Sequence, residues 1–202
     1  MDSTVDRFAT LREVLSAIAR IDEPEWAMIR GLFRPREFDA GMHLMEPGGD
    51  GQSLFFLGGG LVRFYYLTAE GKEFNKSFAV AGDFCGSLSS VVLGVPARYG
   101  LQALEPTPAL VASHRAVRAR MDESPVWERI GRVLAEGLAV RKEIREAELL
   151  LDSAETRYRR FLAEQSDLAS RLPDFHIASY LGVTNVALSR IRRRIGLVGS
   201  PG

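Results

Sequence analysis

From Phe33 to about Leu110 the apolar residues fall in short runs separated by glycine clusters. Ser53-Leu54-Phe55-Phe56-Leu57 and Leu61-Val62-Arg63-Phe64-Tyr65-Tyr66-Leu67 are the clearest. Runs of this length bounded by turn residues predict strands. Gly48-Gly49, Gly58-Gly59-Gly60, Glu70-Gly71 and Ala81-Gly82-Asp83 are the expected turns. Short strands in regular succession predict an antiparallel β-roll or jelly roll. Ahead of it, Phe8, Leu11, Val14, Leu15 and Ile18 recur at helical spacing within Val5 to Ile21, and Pro24 suits the start of a short helix through Trp26 and Ile29.

After Val111 the strand pattern stops. Ser124-Pro125 predicts a helix start, with Ser124 as N-cap and Pro125 at the first helical position, and the helix is expected to run to about Leu151. Along it Val126, Ile130, Val133, Gly137, Val140, Ile144, Ala147 and Leu151 alternate spacings of four and three, a heptad seam. Trp127, Leu134 and Leu138 form a neighbouring apolar face suited to the chain's own barrel. A helix with two apolar faces covers two surfaces, so the seam is expected to pair with a second copy in a homodimer. Asp152 or Ser153 then caps a new helix, with Glu155 in position for a capping box, which puts a domain junction near residue 152. The helix Ala154 to Gln165 carries Tyr158, Phe161 and Leu162 on one face; with Leu168 and Leu172 these predict a small second core.

The run from Phe175 to Arg194 fits two short helices crossing through a tight turn. Gly182 sits where the first helix must end in a left-handed residue, and Ala178 is small enough for a steep helix crossing. Ile177, Leu181, Val183, Leu188 and Ile191 supply the faces that bury, and Thr184 is the expected N-cap of the second helix. With Leu188 and Ile191 inward, the helical period turns Asn185, Val186, Ser189, Arg190 and Arg193 outward. This is a helix-turn-helix pattern, and it points to double-stranded DNA. Read alone, Arg192, Arg193 and Arg194 equally suit a solvated charge run at a helix C-terminus. The spacing around Ala178 and Gly182, and the absence of acids after Asp174, favour DNA.

Composition narrows the rest. With 202 residues, 46% of them hydrophobic, the chain is long enough for two modest domains. Its 26 basic and 26 acidic side chains give a formal charge of zero. That zero is a cancellation, because the C-terminal arginines follow the last acid. One cysteine, Cys85, excludes an internal disulfide framework and a protein-ligated iron–sulfur cluster, and a buried, inert thiol is expected. No apolar stretch approaches the ~20 residues of a membrane span, and the N-terminus lacks a signal-peptide pattern, so a soluble cytoplasmic protein is expected.

An enzyme is the main rival class, since jelly-roll (cupin-like) barrels host metal chemistry. His43, His114 and His176 are too scattered for a histidine–carboxylate site, and neither a nucleophile-elbow nor a phosphate-loop motif occurs. No catalysis, metal, haem or other cofactor is expected. A ligand-binding regulatory module without DNA is the third class, but it has no use for the C-terminal helix pair.

The order of β-roll, long helix and C-terminal helix-turn-helix resembles the Crp/Fnr family of bacterial transcription regulators. Its most specific parts are Glu70-Gly71-Lys72-Glu73 with Ala81-Gly82-Asp83-Phe84-Cys85-Gly86, then Ser153-Ala154-Glu155-Thr156-Arg157-Tyr158 with the two helices around Gly182 and Leu188-Ser189-Arg190-Ile191-Arg192. The resemblance implies a cyclic-nucleotide-binding-like sensor domain over 1–115, a dimerisation helix over 116–152 and a DNA-binding domain over 153–202. It also implies a homodimer on a palindromic operator, with RNA polymerase among the partners.

The implied effector pocket is Gly86, Ser87, Leu88, Ala97 and Arg98, and here the chain departs from the cyclic-AMP pattern. Ser87 stands where those members carry a ribose-binding glutamate, and Ala97 where they carry the phosphate-binding arginine. Arg98 would serve only after a one-residue slip, which turns a strand side chain to the opposite face. The effector is therefore expected to be something other than cyclic AMP. The implied DNA-reading set is Thr184, Asn185, Val186, Ser189, Arg190 and Arg193; Val186 replaces a glutamate of the family's best-known member, so a different operator is expected. Only eight residues follow Arg194, too few for the β-hairpin wing of many relatives.

Overall fold

The computed structural model describes residues 3–196. Two helices, α1 (Ser3–Ser16) and α2 (Glu23–Leu32), precede the strands. Asp22 caps α2 by accepting the Glu25 backbone N–H at 2.9 Å, and Pro24 occupies the first turn. Eight strands follow: β1 (Arg34–Phe38), β2 (His43–Met45), β3 (Ser53–Leu57), β4 (Leu61–Leu67), β5 (Glu73–Val80), β6 (Phe84–Cys85), β7 (Gly100–Ala103) and β8 (Thr107–Ser113). They form two four-stranded antiparallel sheets, ordered β1-β8-β3-β6 and β2-β7-β4-β5. This is the expected β-roll, and Gly48, Gly60, Gly71 and Gly82 all take positive φ at its turns.

Three cores explain why β3 and β4 read as apolar runs. Phe55, Leu57, Val62, Phe64 and Leu101 meet between the sheets. On the outer face of the first sheet, Phe56, Leu110 and Ala112 pack against Phe8, Leu11 and Leu15 of α1 and against Trp26 and Ile29 of α2. On the outer face of the second sheet, Leu61 is fully buried in the core of the C-terminal helices, with Phe78, Val80 and Leu104 at its edge. Each sheet is thus covered on both faces, and alternation survives only as a choice of core.

The helices after the sheets are α4 (His114–Glu123) and α5 (Pro125–Leu151), with a shorter α3 (Leu88–Leu93) inserted between β6 and β7. The segment expected as one helix over 116–152 is therefore two, because the residue before a proline is driven out of the helical region. Ser124 sits at φ −136°, ψ 125°, and its Oγ donates to Glu25 Oε1 at 2.9 Å instead of capping α5. The seam is also shorter than expected. Ile130 is only 3% exposed and joins Trp127 in the core around α1 and α2, with Val126 packed beside it. Farther along, Val140, Ile144 and Leu151 are 53%, 54% and 83% exposed.

Ser153, rather than Asp152, caps α6 (Ala154–Glu164), its Oγ accepting the Thr156 N–H at 3.1 Å. Glu155 closes no capping box; it pairs with Arg159 and Arg194. Then come α7 (Ser166–Arg171), α8 (Asp174–Leu181) and α9 (Asn185–Arg194). Tyr158, Phe161, Leu168, Leu172, Ile177, Leu181, Leu188 and Ile191 fill the third core.

Polar contacts fix how α8 sits on β5. The register of β5 against β4 slips so that Phe64 faces Ser77 and Tyr65 faces Asn75, which leaves Lys76 as the extra residue of a bulge. Asn75 turns outward there. Its backbone N–H donates to Ser179 Oγ at 2.8 Å, and its side-chain amide donates to the His176 carbonyl at 3.1 Å and meets His176 Nδ1 at 3.0 Å. Arg63, held by Glu73 and Gln102, points Nη1 at the Asn75 carbonyl oxygen, so the amide group must donate to Nδ1 and the imidazole is neutral there. Burial, helped by the Arg63 charge, lowers the His176 pKa from 6.5 to about 4.

A folded-state pKa below the unfolded one means that the unfolded chain binds the proton first. Stability should be unaffected above pH 6.5, fall between pH 6.5 and 4, and level off below. Urea melts across this range should show a smaller fall in His176→Gln than in the wild type. Equal falls would place the titration elsewhere.

Candidate nucleic-acid interface and sensor pocket

Gly182 ends α8 with φ 73° and ψ 30°, where its N–H meets the Ser179 carbonyl and the Val183 N–H reaches back to Ala178. This left-handed cap turns the chain from α8 into α9. Thr184 caps α9, its Oγ1 accepting the Ala187 N–H at 3.2 Å. Ala178, Leu181, Leu188 and Ile191 are buried between the helices, while Asn185, Val186, Ser189, Arg190 and Arg193 are exposed, Val186 at 62%. All six residues expected at the interface thus lie on the cap and outer face of one helix.

The arginines of α9 divide in two. Arg192 donates to Tyr158 Oη at 2.7 Å and pairs with Asp174 at 2.5 Å, and Arg194 pairs with Glu155 at 3.1 Å. Arg190 and Arg193 have no hydrogen-bond or ion-pair partner among the described residues. Of the helix's arginines, the sequence turned only Arg190 and Arg193 outward. Arg192 and Arg194 fasten α9 to α6 and α8, and Arg190 and Arg193 remain available to a polyanion.

Arg145 and Arg157 were not singled out from sequence. Arg157 spans the junction, donating to Asp152 O at 2.6 Å and Leu181 O at 2.9 Å, and Arg145 donates to the Tyr180 carbonyl with its guanidinium over the Tyr180 ring. Guanidinium groups on carbonyls near helix C-termini complement the dipole there, so these residues tie α5 and α6 to the end of α8. No sequence spacing marks such pairings.

In the β-roll, the expected pocket residues separate. Ser87 is fully buried and is used locally: its Oγ lies 2.7 Å from Ser90 Oγ and caps α3. Leu88 lies on the outside of α3, 44% exposed, and so does not line the interior as expected. Ala97 is buried between the sheets and Arg98 is exposed. That parity is pinned by the backbone, since Ala97 donates to Gly49 O at 2.8 Å and accepts from Gly48 at 2.7 Å. A slip to bring Arg98 inward would break both bonds.

The inner space near Gly86 is taken by Tyr99, whose hydroxyl donates to the Gly86 carbonyl at 2.6 Å, and whose phenol is pushed up to about 12, chiefly by burial. Lys76, aimed inward from the bulge, places Nζ 4.2 Å from the Tyr99 ring centre and 5.3 Å from that of Phe64. Cys85 is buried, and burial raises its thiol pKa. His43 bonds the Tyr65 hydroxyl at 2.8 Å. Among the described residues there is no His, Cys, Asp and Glu grouping suited to a metal ion, and no helix long and apolar enough to cross a membrane. The region after Arg194 expected to lack a wing lies, from residue 197, outside the described residues.

Residues 35–124 match the cyclic nucleotide-binding domain family. No curated protein matches the sequence. Among solved structures, the c-di-GMP-responsive global regulator CLP of Xanthomonas campestris is similar over 90% of this chain and 96% of its own, at 16% identity and a TM-score of 0.73. A regulator from Eubacterium rectale assigned to the Crp/Fnr family covers 88% and 84% at 17% identity, TM-score 0.71. A variant of CooA from Carboxydothermus hydrogenoformans covers 94% and 88% at 21% identity, TM-score 0.70. Residues 35–124 are therefore similar to cyclic nucleotide-binding domains, and the chain has the fold of the solved Crp/Fnr-type regulators.

Proposed function

We propose that this protein is a DNA-binding transcription regulator of the Crp/Fnr type, a homodimer and not an enzyme. The sensor is assigned to 1–115, the dimer helix to α5 and the DNA-binding unit to 153–202. The observation that carries the reading is the outer face of α9: a capped helix presenting Asn185, Val186, Ser189, Arg190 and Arg193, two arginines among them having no partner among the described residues. Arg190 is placed to read guanine in the major groove, Asn185 adenine or a phosphate, and Val186 a thymine methyl. Dimerisation rests on the exposed seam of α5 from Val140 to Leu151.

Cyclic AMP is not the effector in this reading. Its phosphate needs a paired cation away from water; Ala97 offers none, and Ser87 is already spent on α3. RNA polymerase is a further partner in this reading.

Selection of bound duplexes from a random pool tests the function. A two-fold-symmetric site with half-sites about one helical turn apart, bound less tightly as salt rises, is expected. Recovery of no sequence, or an affinity indifferent to salt, would refute it.

On the selected site, Arg190→Ala should cost about 1 to 3 kcal/mol and relax preference at one base pair. Arg193→Ala should weaken all sequences alike, as loss of a phosphate contact does. Competition binding with single-base variants of the site separates the two.

Val140→Glu should abolish dimers while leaving the β-roll folded, because two facing carboxylates would be buried without partners. Sedimentation combined with circular dichroism reads both outcomes; an unchanged dimer would assign the seam to another role.

A further inference from the structure

Phe38 points into the core between the sheets, so the two-residue period of β1 turns Arg36 and Arg34 to the same side and Pro35 and Glu37 to the opposite one. Glu37 accordingly pairs with Arg7 of α1. Arg36 lays its guanidinium 4.8 Å from the centre of the Phe38 ring, while Arg34 donates from Nη1 to the Gly31 carbonyl at 2.7 Å and to the Phe33 carbonyl at 3.0 Å. A ring and two carbonyls thus hold these side chains, and none of them carries a negative charge. Among the described residues no carboxylate meets either guanidinium.

A cavity of about 560 Å³ lies beside the two arginines, between the end of α2, the start of β3 and the end of β8. Its hydroxyls are Ser53 and Ser113, which stand opposite each other in the β3–β8 ladder. Neither hydroxyl has a hydrogen-bond partner among the described residues, and Ser113 makes no capping bond although it is the N-cap residue of α4. Gln52 fixes one wall, its Nε2 donating to the Ser90 carbonyl of α3 at 3.4 Å and its own carbonyl accepting the His114 N–H at 2.9 Å. Leu32, Pro35 and Val111 supply an apolar side. Among the described residues no acid lines the cavity, and neither Ser87, Ala97 nor Arg98 reaches it.

We propose that this cavity binds a small phosphomonoester, its phosphate between Arg34 and Arg36 and its apolar body on Leu32, Pro35 and Val111. Two unpaired cations call for a dianion, and a phosphomonoester carries close to two negative charges at neutral pH, spread over oxygens that only accept. Guanidinium forks engage such oxygens two bonds at a time, and the serine hydroxyls donate to those that remain. A carboxylate would leave one cation unanswered. Because the ring and the carbonyls already restrain both arginines, binding costs little further side-chain freedom. The volume falls within the range of small-molecule sites, about 300–1,000 Å³, and so leaves room for a body beside the phosphate. α5 contributes nothing to this cavity, and the inference is independent of any DNA contact.

Calorimetry on the full-length chain tests it with phenyl phosphate, benzoate, phenol and inorganic phosphate as probes, at pH ~8, about two units above the second phosphate ionisation. The first three vary the charge on one ring, and the last removes the ring. Phenyl phosphate should bind the wild type at least about tenfold more tightly than any of the others, the difference one charge-assisted hydrogen bond or one buried ring makes. Arg34→Met and Arg36→Met should each weaken it by a similar factor, and Ser113→Ala by a smaller one. Arg98→Ala should leave it unchanged. Equal binding of phenyl phosphate and benzoate would remove the case for a dianion, and equal binding of inorganic phosphate would mean an adventitious ion only; either result overturns the proposal in the wild type alone. Full binding by Arg36→Met, whose native side chain touches only a ring, would overturn it too. A loss in Arg98→Ala, or in Arg193→Ala, would put the ion elsewhere on the molecule and do the same.

Discussion

An antiparallel ladder can absorb one extra residue only by bending the strand and releasing it from its partner locally. In β5 that residue is Lys76, and the release lets the Asn75 N–H leave the sheet for Ser179 Oγ. A buried backbone donor without an acceptor is costly, so the bulge and the docking of α8 stabilise each other. The same slip aligns Asn75 with His176, while Phe78 and Val80 beyond it keep contact with the third core. Without it, the residues on one side of Lys76 would exchange faces, carrying a polar amide into the barrel and removing the one acceptor and donor set that fits α8.

The charges near this contact are arranged so that few are left buried and alone. Arg63 is held by Glu73 at 2.6 Å and by Gln102 at 2.8 Å, and this pairing lets it orient Asn75 without an uncompensated charge at the interface. Arg171 reaches across from α7 to Glu105 at 2.6 Å and to the Gly60 carbonyl, adding a contact at the rim. Rim pairs of this kind contribute little to stability, about 0–1 kcal/mol, and mainly fix orientation. Lys76 is the exception, a half-buried ammonium supported by ring faces alone, and it lies on the barrel side of the same bulge.

Local signals made most of the elements readable in the sequence. The bounds of β3 and β4 were legible because burial on both faces leaves largely apolar runs between turn glycines. The helix pair at Gly182 was legible because a left-handed cap, a threonine cap and two buried faces are all written within some twenty residues. What escaped is either short or long-range. α3 and α7 have six residues each and no amphipathic period to detect, and α3 is capped by Ser87, the residue expected to serve the ligand. His176 was readable only as one position in a helix, since Asn75, which bonds its Nδ1, is 101 residues away. The seam was over-read at its start because a heptad pattern does not say which surface it meets, and Ile130 meets α1 and α2.

The second sheet is packed on both of its faces. Val62, Phe64 and Ala79 line the barrel interior, and Leu61, Phe78 and Val80 on the same strands line the core of the C-terminal helices. A strand cannot rotate one set without the other, because their side chains alternate along one backbone. Close-packed cores respond to such displacement by switching between discrete packings rather than deforming smoothly. A displacement at Lys76 therefore reaches Asn75 and Phe78 within one or two residues of chain, directly beneath α8. The path through α5 is longer and crosses the Arg145 and Arg157 contacts to the end of α8. Both routes end on α8, whose left-handed cap at Gly182 sets the direction of α9 and with it the placement of Arg190 and Arg193.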